Sequence, residues 1–253
     1  MLRILLTNDD GFSSPGIKLL AKALRSAGHK VYTVAPDTNR SGCSHSILFL
    51  NGPLKLTQIE EDTFSCSGTP VDCIITSLLG GIPEICISTE TTDLNMEKAP
   101  DLILSGINAG ANLGTDIIYS GTASAARQGS FFGIPSIALS LVESNLPWQW
   151  ESCISYICEK LVLIMGYWKA GTFVNVNFPN NEKKPFELVL SFPSIRYYND
   201  RIVTYTSPDN GKYCFAKPGK VENIPEEGSD WAEVLKGNAA FSVVMSQPAI
   251  AAG

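Results

Sequence analysis

Histidine is nearly absent: His29 and His45 are the only two in 253 residues. Any Ser-His-Asp arrangement would depend on one of them. His29 follows the helix-stopping Gly28 and reads as a solvated side chain facing a helix dipole. His45, in the run Ser41 to Ser46, reads as a bystander, with general-acid catalysis as its alternative role. The chain also lacks GxGxxG and GxxxxGK[ST]. Its glycines Gly106, Gly110 and Gly114 are spaced by four, which argues against an ordinary dinucleotide or Walker-type site. There is no DxD metal motif, which argues against glycosyl transfer on a similar sheet. The seven cysteines are an odd number with no CxxC among them. Arg3 is followed by only three apolar residues before Thr7, too few for a secretory leader. Reduced thiols and a cytoplasmic protein are the expectation. The strongest apolar helical run, around Leu161 to Met165, is far too short to span a bilayer.

Charge is scarce as well. Charged residues make up 17% of the chain, and 19 basic against 25 acidic side chains leave a net charge of −6. That balance argues against a nucleic-acid polymer or an anionic membrane as partner, while leaving room for a local phosphate pocket. A hydrophobic fraction of 44% suits a compact, ordered chain. Its length fits one large α/β domain, or one domain with a small appendage.

What is there begins with Leu5 to Gly11, LLTNDDG. A short apolar strand breaks off into Thr7, Asn8, Asp9 and Asp10, and Gly11 turns the chain. Ser14-Pro15 then opens a helix with a cap and a first-turn proline, carries apolar residues at helical spacing from Ile17 to Ala27, and stops at Gly28. Lys30 to Ala35 reads as a second strand, parallel to the first with a right-handed crossover. It runs into the turn-rich loop APDTNRSG, Ala35 to Gly42. Shorter β-like pieces follow at Ile47 to Leu50, Leu54 to Ile59 and Thr63 to Cys66. Thr69-Pro70 opens a helix that ends at Gly80-Gly81, and Glu84 to Glu90 is either strand or loop.

Asp101 to Leu104 reads as a buried strand feeding a long loop, Ser105 to Thr122, crowded with glycine, asparagine and hydroxyls. A structureless loop of that length between strong elements is functional or disordered, and its low charge argues for function. A helix over Thr122 to Phe132, a strand over Pro135 to Leu141, a helix over Cys153 to Tyr167 and an apolar segment over Thr172 to Val176 follow. From Asn177 the texture becomes irregular, with short hairpin strands. The reading is a doubly wound, mostly parallel α/β core over residues 1–180. A β-rich C-terminal hairpin extension over 181–253 then acts as an oligomerisation arm.

In an open parallel sheet, ligands bind outside the carboxyl ends of the strands. Three polar clusters fall at such ends: Asn8-Asp9-Asp10, Asn39-Arg40-Ser41, and Ser105 to Asn112. An Asp-Asp pair by itself is a solvated acidic turn; brought to one rim with the other two clusters it becomes part of a site. Carboxylates, a hydroxyl and a carboxamide are hard oxygen donors that suit Mg²⁺, Mn²⁺ or Ca²⁺. Tyr119-Ser120-Gly121-Thr122 leads straight into a helix, whose first amides form an anion site. Together these suggest metal-assisted chemistry on a phosphate.

TNDDG, APDTNRSG, GTPVDC at Gly68 to Cys73 and, above all, SGINAGANLGTDIIYSGTASAA resemble the SurE family of metal-dependent 5′/3′-nucleotidases, and NVNFP at Asn175 to Pro179 extends the likeness. The resemblance implies one divalent metal ion per subunit, held by Asp9, Asp10, Ser41 and Asn108. It implies a phosphate pocket lined by Asn8, Ser105, Gly106, Asn112, Ser120, Gly121 and Thr122. It further implies hydrolysis of nucleoside monophosphates, with some breadth that includes short polyphosphate, by a homodimer or homotetramer with an exchanged C-terminal arm. One of the aspartates, or a water on the metal, is the attacking or base group. A non-catalytic nucleotide- or phosphate-binding protein is the alternative. Gln128 departs from the acidic residue usual at its position, Arg127 adds a positive charge beside it, and Gly81 to Ala99 is long enough for a lid or interface insertion.

Overall fold

The computed structural model describes residues 1–88, 94–181, 186–224 and 226–248. In chain order the elements begin β1 (Arg3–Thr7), α1 (Pro15–Ser26), β2 (Lys30–Pro36), β3 (Leu56–Glu60), β4 (Thr63–Cys66) and α2 (Pro70–Thr76). They continue with β5 (Leu102–Ala109), α3 (Asp116–Tyr119), α4 (Gly121–Phe131), β6 (Ser136–Val142), α5 (Trp150–Met165) and β7 (Thr172–Pro179). The C-terminal third adds β8 (Leu188–Leu190), β9 (Arg196–Tyr198), β10 (Arg201–Thr206), β11 (Lys212–Lys217), β12 (Val221–Asn223), α6 (Asp230–Leu235) and β13 (Ala239–Met245).

Nine strands form one sheet in the order β3-β4-β2-β1-β5-β6-β7-β13-β8. From β4 to β7 all neighbours run parallel. Alternation along β1 divides the core: Ile4 and Leu6 face the cluster formed with α1 and α5, and Leu5 faces the one formed with α2 and Ala125 of α4. Leu102, Leu104 and Ile103 of β5 divide the same way. Strands covered by helices on both faces read as continuous apolar runs, and each fully buried Leu or Ile contributes about 1.5–3 kcal/mol. From β1 the chain winds outward through β2 and β4 to one side, then returns to β5 and winds through β6 and β7 to the other. The strand order therefore reverses between β1 and β5, and the crevice for a ligand opens at their carboxyl ends.

Local chemistry sets the helix boundaries. Ser14 occupies the cap position of α1 but makes no side-chain capping bond, so the first-turn proline and the apolar face carry that start. Thr69 and Asp72 form a reciprocal capping box at α2: the Asp72 amide donates to Thr69 Oγ1 at 3.1 Å, and the Thr69 amide donates to Asp72 Oδ2 at 2.9 Å. Asp72 also explains why the β-like piece at Ile47 to Leu50 is not a strand. The Leu48 amide donates to Asp72 Oδ2 at 2.9 Å, and Phe49–Asn51 closes into a 3₁₀ turn. An amide bound to that carboxylate is not available to a ladder.

The long loop is shorter than its composition suggests. Ser105 to Ala109 continue β5, because β6 pairs with them on either side of a bulge, Ser105 opposite Ala138, Asn108 opposite Ser140 and Ala109 opposite Leu141. Tertiary pairing overrides the weak strand preference of glycine and asparagine. The register shifts between Ser105 and Asn108, and the end of β5 there meets the crevice. Residues 84–88 are irregular; 89–93, part of the segment read as a lid or insertion, lie outside the described residues, as do 182–185. Beyond residue 180, β13 returns to pair antiparallel with β7, and β8 lies parallel beside it. β9–β12 and β10–β11 form two small sheets of their own.

Candidate active site

A cleft of about 540 Å³ opens at the β1/β5 switch point, lined by Asp9, Ser41, Asn108, Asn112 and Ser120 among the residues singled out above. Asp9 is almost fully buried at 3% exposure. Its Oδ1 accepts the Thr122 hydroxyl at 2.5 Å, and the Thr122 amide also serves its carboxylate. The start of α4 rests directly on it: a β-carbon on Gly121 would lie 2.8 Å from Asp9 Cβ and 3.0 Å from Cys43 Sγ. Only glycine permits that approach. Ser120 caps the helix by accepting the Ala123 amide at 2.9 Å, so the positive end of α4 faces the Asp9 carboxylate. Thr122, expected on the phosphate, instead orients Asp9.

Asp10 is half-buried and stands behind the cleft lining, where its Oδ2 accepts the Ala109 amide at 3.0 Å. Burial raises the Asp9 pKa, helped by the neighbouring Asp10 charge, and burial also raises that of Asp10. Both carboxylates are thus costly to ionise until a cation compensates them. The loop carrying Ser41 is tied to the same turn: the Arg40 amide donates to the Asp9 carbonyl at 2.7 Å, and Asn39 Oδ1 accepts the Ser41 amide at 2.7 Å. The Arg40 guanidinium turns away, to the Ser67 carbonyl at 2.9 Å and to Asp37. Asn108 Nδ2 donates to the Gly110 carbonyl at 2.9 Å, which fixes the amide plane.

Among the described residues, no hydrogen bond reaches Asp10 Oδ1, Ser41 Oγ or Asn108 Oδ1. Three hard oxygens without donors, beside the buried Asp9 carboxylate, fit a divalent cation of the Mg²⁺ or Mn²⁺ type. No group of three or more His, Cys, Asp or Glu forms a metal cluster among the described residues, so a hydroxyl and a carboxamide must complete any such site.

The remaining expected phosphate residues divide. Ser105 and Gly106 are enclosed in β5 and do not line the cleft; a β-carbon on Gly106 would lie 2.3 Å from the Leu139 carbonyl oxygen. Asn8 is buried and donates to the Gly11 carbonyl at 2.9 Å, shaping the turn. Asn112 lines the cleft, but its amide donates to Ser140 Oγ at 2.7 Å, and its carbonyl accepts from Asn175 at 2.8 Å and Asn177 at 3.1 Å. NVNFP therefore anchors the loop after β5. His45 Nε2 lies 3.0 Å from Gln128 Oε1, so Gln128 is the partner of that histidine, and His45 does not line the cleft.

The survival protein SurE family model matches residues 4–199. The chain belongs to the SurE family. A 5′-nucleotidase SurE of Stenotrophomonas maltophilia (strain R551-3) is 37% identical over 248 residues, covering 96% of this chain and 89% of that protein. A 5′-nucleotidase SurE of Xylella fastidiosa (strain 9a5c) is 43% identical over 241 residues, covering 92% and 86%. The crystal structure of the SurE protein from Aquifex aeolicus superposes with a TM-score of 0.79 at 34% identity, covering 98% of this chain and 94% of that one. The SurE motifs quoted from the sequence thus belong to a shared fold that runs nearly end to end.

Tyr119, named with the second half of the long loop, lines the cleft, and three further cleft residues escaped the sequence reading: Asp116, Tyr198 and Asp200. The first lies inside the SurE loop motif, where its presence between Gly114 and Ser120 was the available signal. The others come from the C-terminal third and carry no local signal. They arrive because that third is fastened to the loop after β5. Asp230 accepts the Gly114 amide at 2.8 Å and the Ser194 amide at 2.9 Å, while Arg196 and the Tyr198 hydroxyl both engage Asp116. Burial and the Asp116 carboxylate push the Tyr198 pKa up to about 12, so its hydroxyl is a permanent donor at neutral pH.

Proposed function

We infer that this chain is a metal-dependent phosphomonoesterase that hydrolyses nucleoside monophosphates. The observation that carries the reading is the convergence of Asp9, Ser41 and Asn108 on one cleft, with Asp10 directly behind and the N-terminus of α4 against Asp9. The names of the SurE relatives, 5′-nucleotidase, support it. Asp9, Asp10, Ser41 and Asn108 would hold one divalent cation, Mg²⁺ or Mn²⁺, with Ca²⁺ as a further possible occupant. When bound, that ion supplies Lewis-acid polarisation of the phosphoryl group. Ser120 and Gly121, at the start of α4, receive the phosphate at the positive end of the helix. Thr122 holds the Asp9 carboxylate in place, and Asp9, which faces the cleft, either takes the proton of an attacking water or attacks phosphorus itself; the P–O bond to the nucleoside breaks in both cases, and in the second a water then releases phosphate from the aspartyl phosphate. Asp10, turned to the Ala109 amide, holds the cation.

The test is phosphate release from a panel of nucleoside 5′- and 3′-monophosphates with Mg²⁺, Mn²⁺ and EDTA. Release with either metal and loss with EDTA is the expected result. Phosphate that binds without turnover across the metal panel would sink the enzymatic reading.

The same reading includes a homodimer or homotetramer joined through β10–β11. Ile202, Tyr205, Tyr213 and Phe215 are exposed on that two-stranded hairpin, which is marginal without a further surface. Size-exclusion chromatography with light scattering reads the assembly. A cytoplasmic setting accords with seven free cysteines among the described residues, where no helix is long and apolar enough to cross a membrane.

A further inference from the structure

The C-terminal third contributes two side chains to the cleft that the proposed phosphoryl chemistry does not use, Tyr198 and Asp200. Tyr198 is anchored twice. Its hydroxyl donates to Asp116, and its backbone is paired in β9, opposite Val221 of β12. The residue is nonetheless 45% exposed and lines the cleft. An aromatic ring held this way has little freedom left to lose when a flat partner lies on it. Asp200 is exposed, accepts the Gly219 amide at 2.9 Å and forms no ion pair among the described residues. The charge pattern around it is one-sided: the cleft lining holds Asp9, Asp116 and Asp200 and no lysine or arginine. Asp116 is paired with Arg196, and Asp9 belongs to the proposed cation site. Asp200 is the free negative charge that a bound phosphate ester meets away from the reacting group.

We propose that Tyr198 and Asp200 form the nucleoside end of this cleft, Tyr198 carrying the base on its ring and Asp200 rejecting a second phosphate. The substrate class this selects is a monophosphate whose other end is flat and uncharged, in preference to a phosphate chain. The inference rests on the phosphomonoesterase reading above and deepens it. Asp116, through its bond to the Tyr198 hydroxyl, is a positioning residue.

The experiment measures kcat and KM with Mn²⁺ for adenosine monophosphate, glycerol phosphate and inorganic tripolyphosphate, in the wild type and in Tyr198→Ala, Tyr198→Phe and Asp200→Asn. Tyr198→Ala should raise KM for adenosine monophosphate about 10-fold more than for glycerol phosphate, the scale of one lost base stack. Tyr198→Phe, which keeps the ring, should recover most of that difference. Asp200→Asn should raise kcat/KM for tripolyphosphate about 3- to 10-fold relative to adenosine monophosphate, and the gain should shrink as salt is added. Equal losses on adenosine monophosphate and glycerol phosphate in Tyr198→Ala would show a merely structural role and overturn the proposal. So would an unchanged tripolyphosphate ratio in Asp200→Asn. A wild type that hydrolyses adenosine monophosphate while these variants fail to discriminate defeats this inference alone. A wild type inactive on all three substrates defeats the phosphomonoesterase reading and the inference with it.

Discussion

Two kinds of β-structure meet in this chain. Every residue of β6 and β7 is buried, whereas every residue of β10 and β11 is exposed. β6 and β7 are enclosed on both faces, by apolar side chains and by buried polar ones such as Asn175 and Asn177 that bond the loop after β5, so the strand is a product of tertiary burial. β10–β11 is held by its own ladder from Arg201 opposite Lys217 to Thr206 opposite Lys212, closed by a turn in which Asn210 takes a left-handed φ of 66°. The Tyr205 and Phe215 rings meet edge to face 5.7 Å apart across it. One region carries the fold and the proposed chemistry; the other presents apolar surface with no cover among the described residues.

The comparison breaks most sharply at the site built on the buried region. Asp10→Asn should lower kcat/KM for nucleoside monophosphates at least about 100-fold, some 2.7 kcal/mol of barrier, and weaken Mn²⁺ binding measured by calorimetry, with circular dichroism unchanged. An active variant would remove Asp10 from the cation site. Next in size is the core itself. Phe178→Ala in β7, a fully buried side chain, should cost about 3–5 kcal/mol in a urea titration. A cost below 1 kcal/mol would mean that the β7 layer repacks freely. Ser120→Ala removes the cap of α4 and should cost about 1 kcal/mol, with a further loss of activity from the loosened helix start. The smallest stability effect should come from the exposed region: Phe215→Ala should change monomer stability by less than about 1 kcal/mol. The same variant should shift the oligomer toward smaller species by light scattering. If Phe215→Ala unfolds the chain instead, β10–β11 is part of the core and the contrast drawn here is wrong.

Much of the buried region was legible in advance because its signals are local. The proline-and-glycine brackets of α1 and α2, the helical spacing from Ile17 to Leu24, and the apolar runs of β1, β2 and β6 each report on a few neighbouring residues. The expected strand at Ile47 to Leu50 failed because its amides are claimed by Asp72, more than twenty residues away, and no local pattern records that. The long loop was overestimated for the same reason: Ser105 to Ala109 look like loop by composition and are strand because β6 lies beside them.

By itself the sequence determined the first strand–helix–strand unit, most of the later core elements though not α3 or α6, the turn that ends β1 in an aspartate pair, and the family to which the motifs point. These follow from periodicity and from residue chemistry within one turn or one strand. Tertiary structure alone decided which of the motif residues face the cleft. It turned Thr122 onto Asp9, enclosed Ser105 and Gly106 in β5, and set Asn112 on Ser140. It also brought Tyr198 to Asp116 across 82 residues and with it the far wall of the site. Contacts at that separation depend on where the sheet and its attached loops place two distant backbones, which the residues between them do not encode in any local pattern.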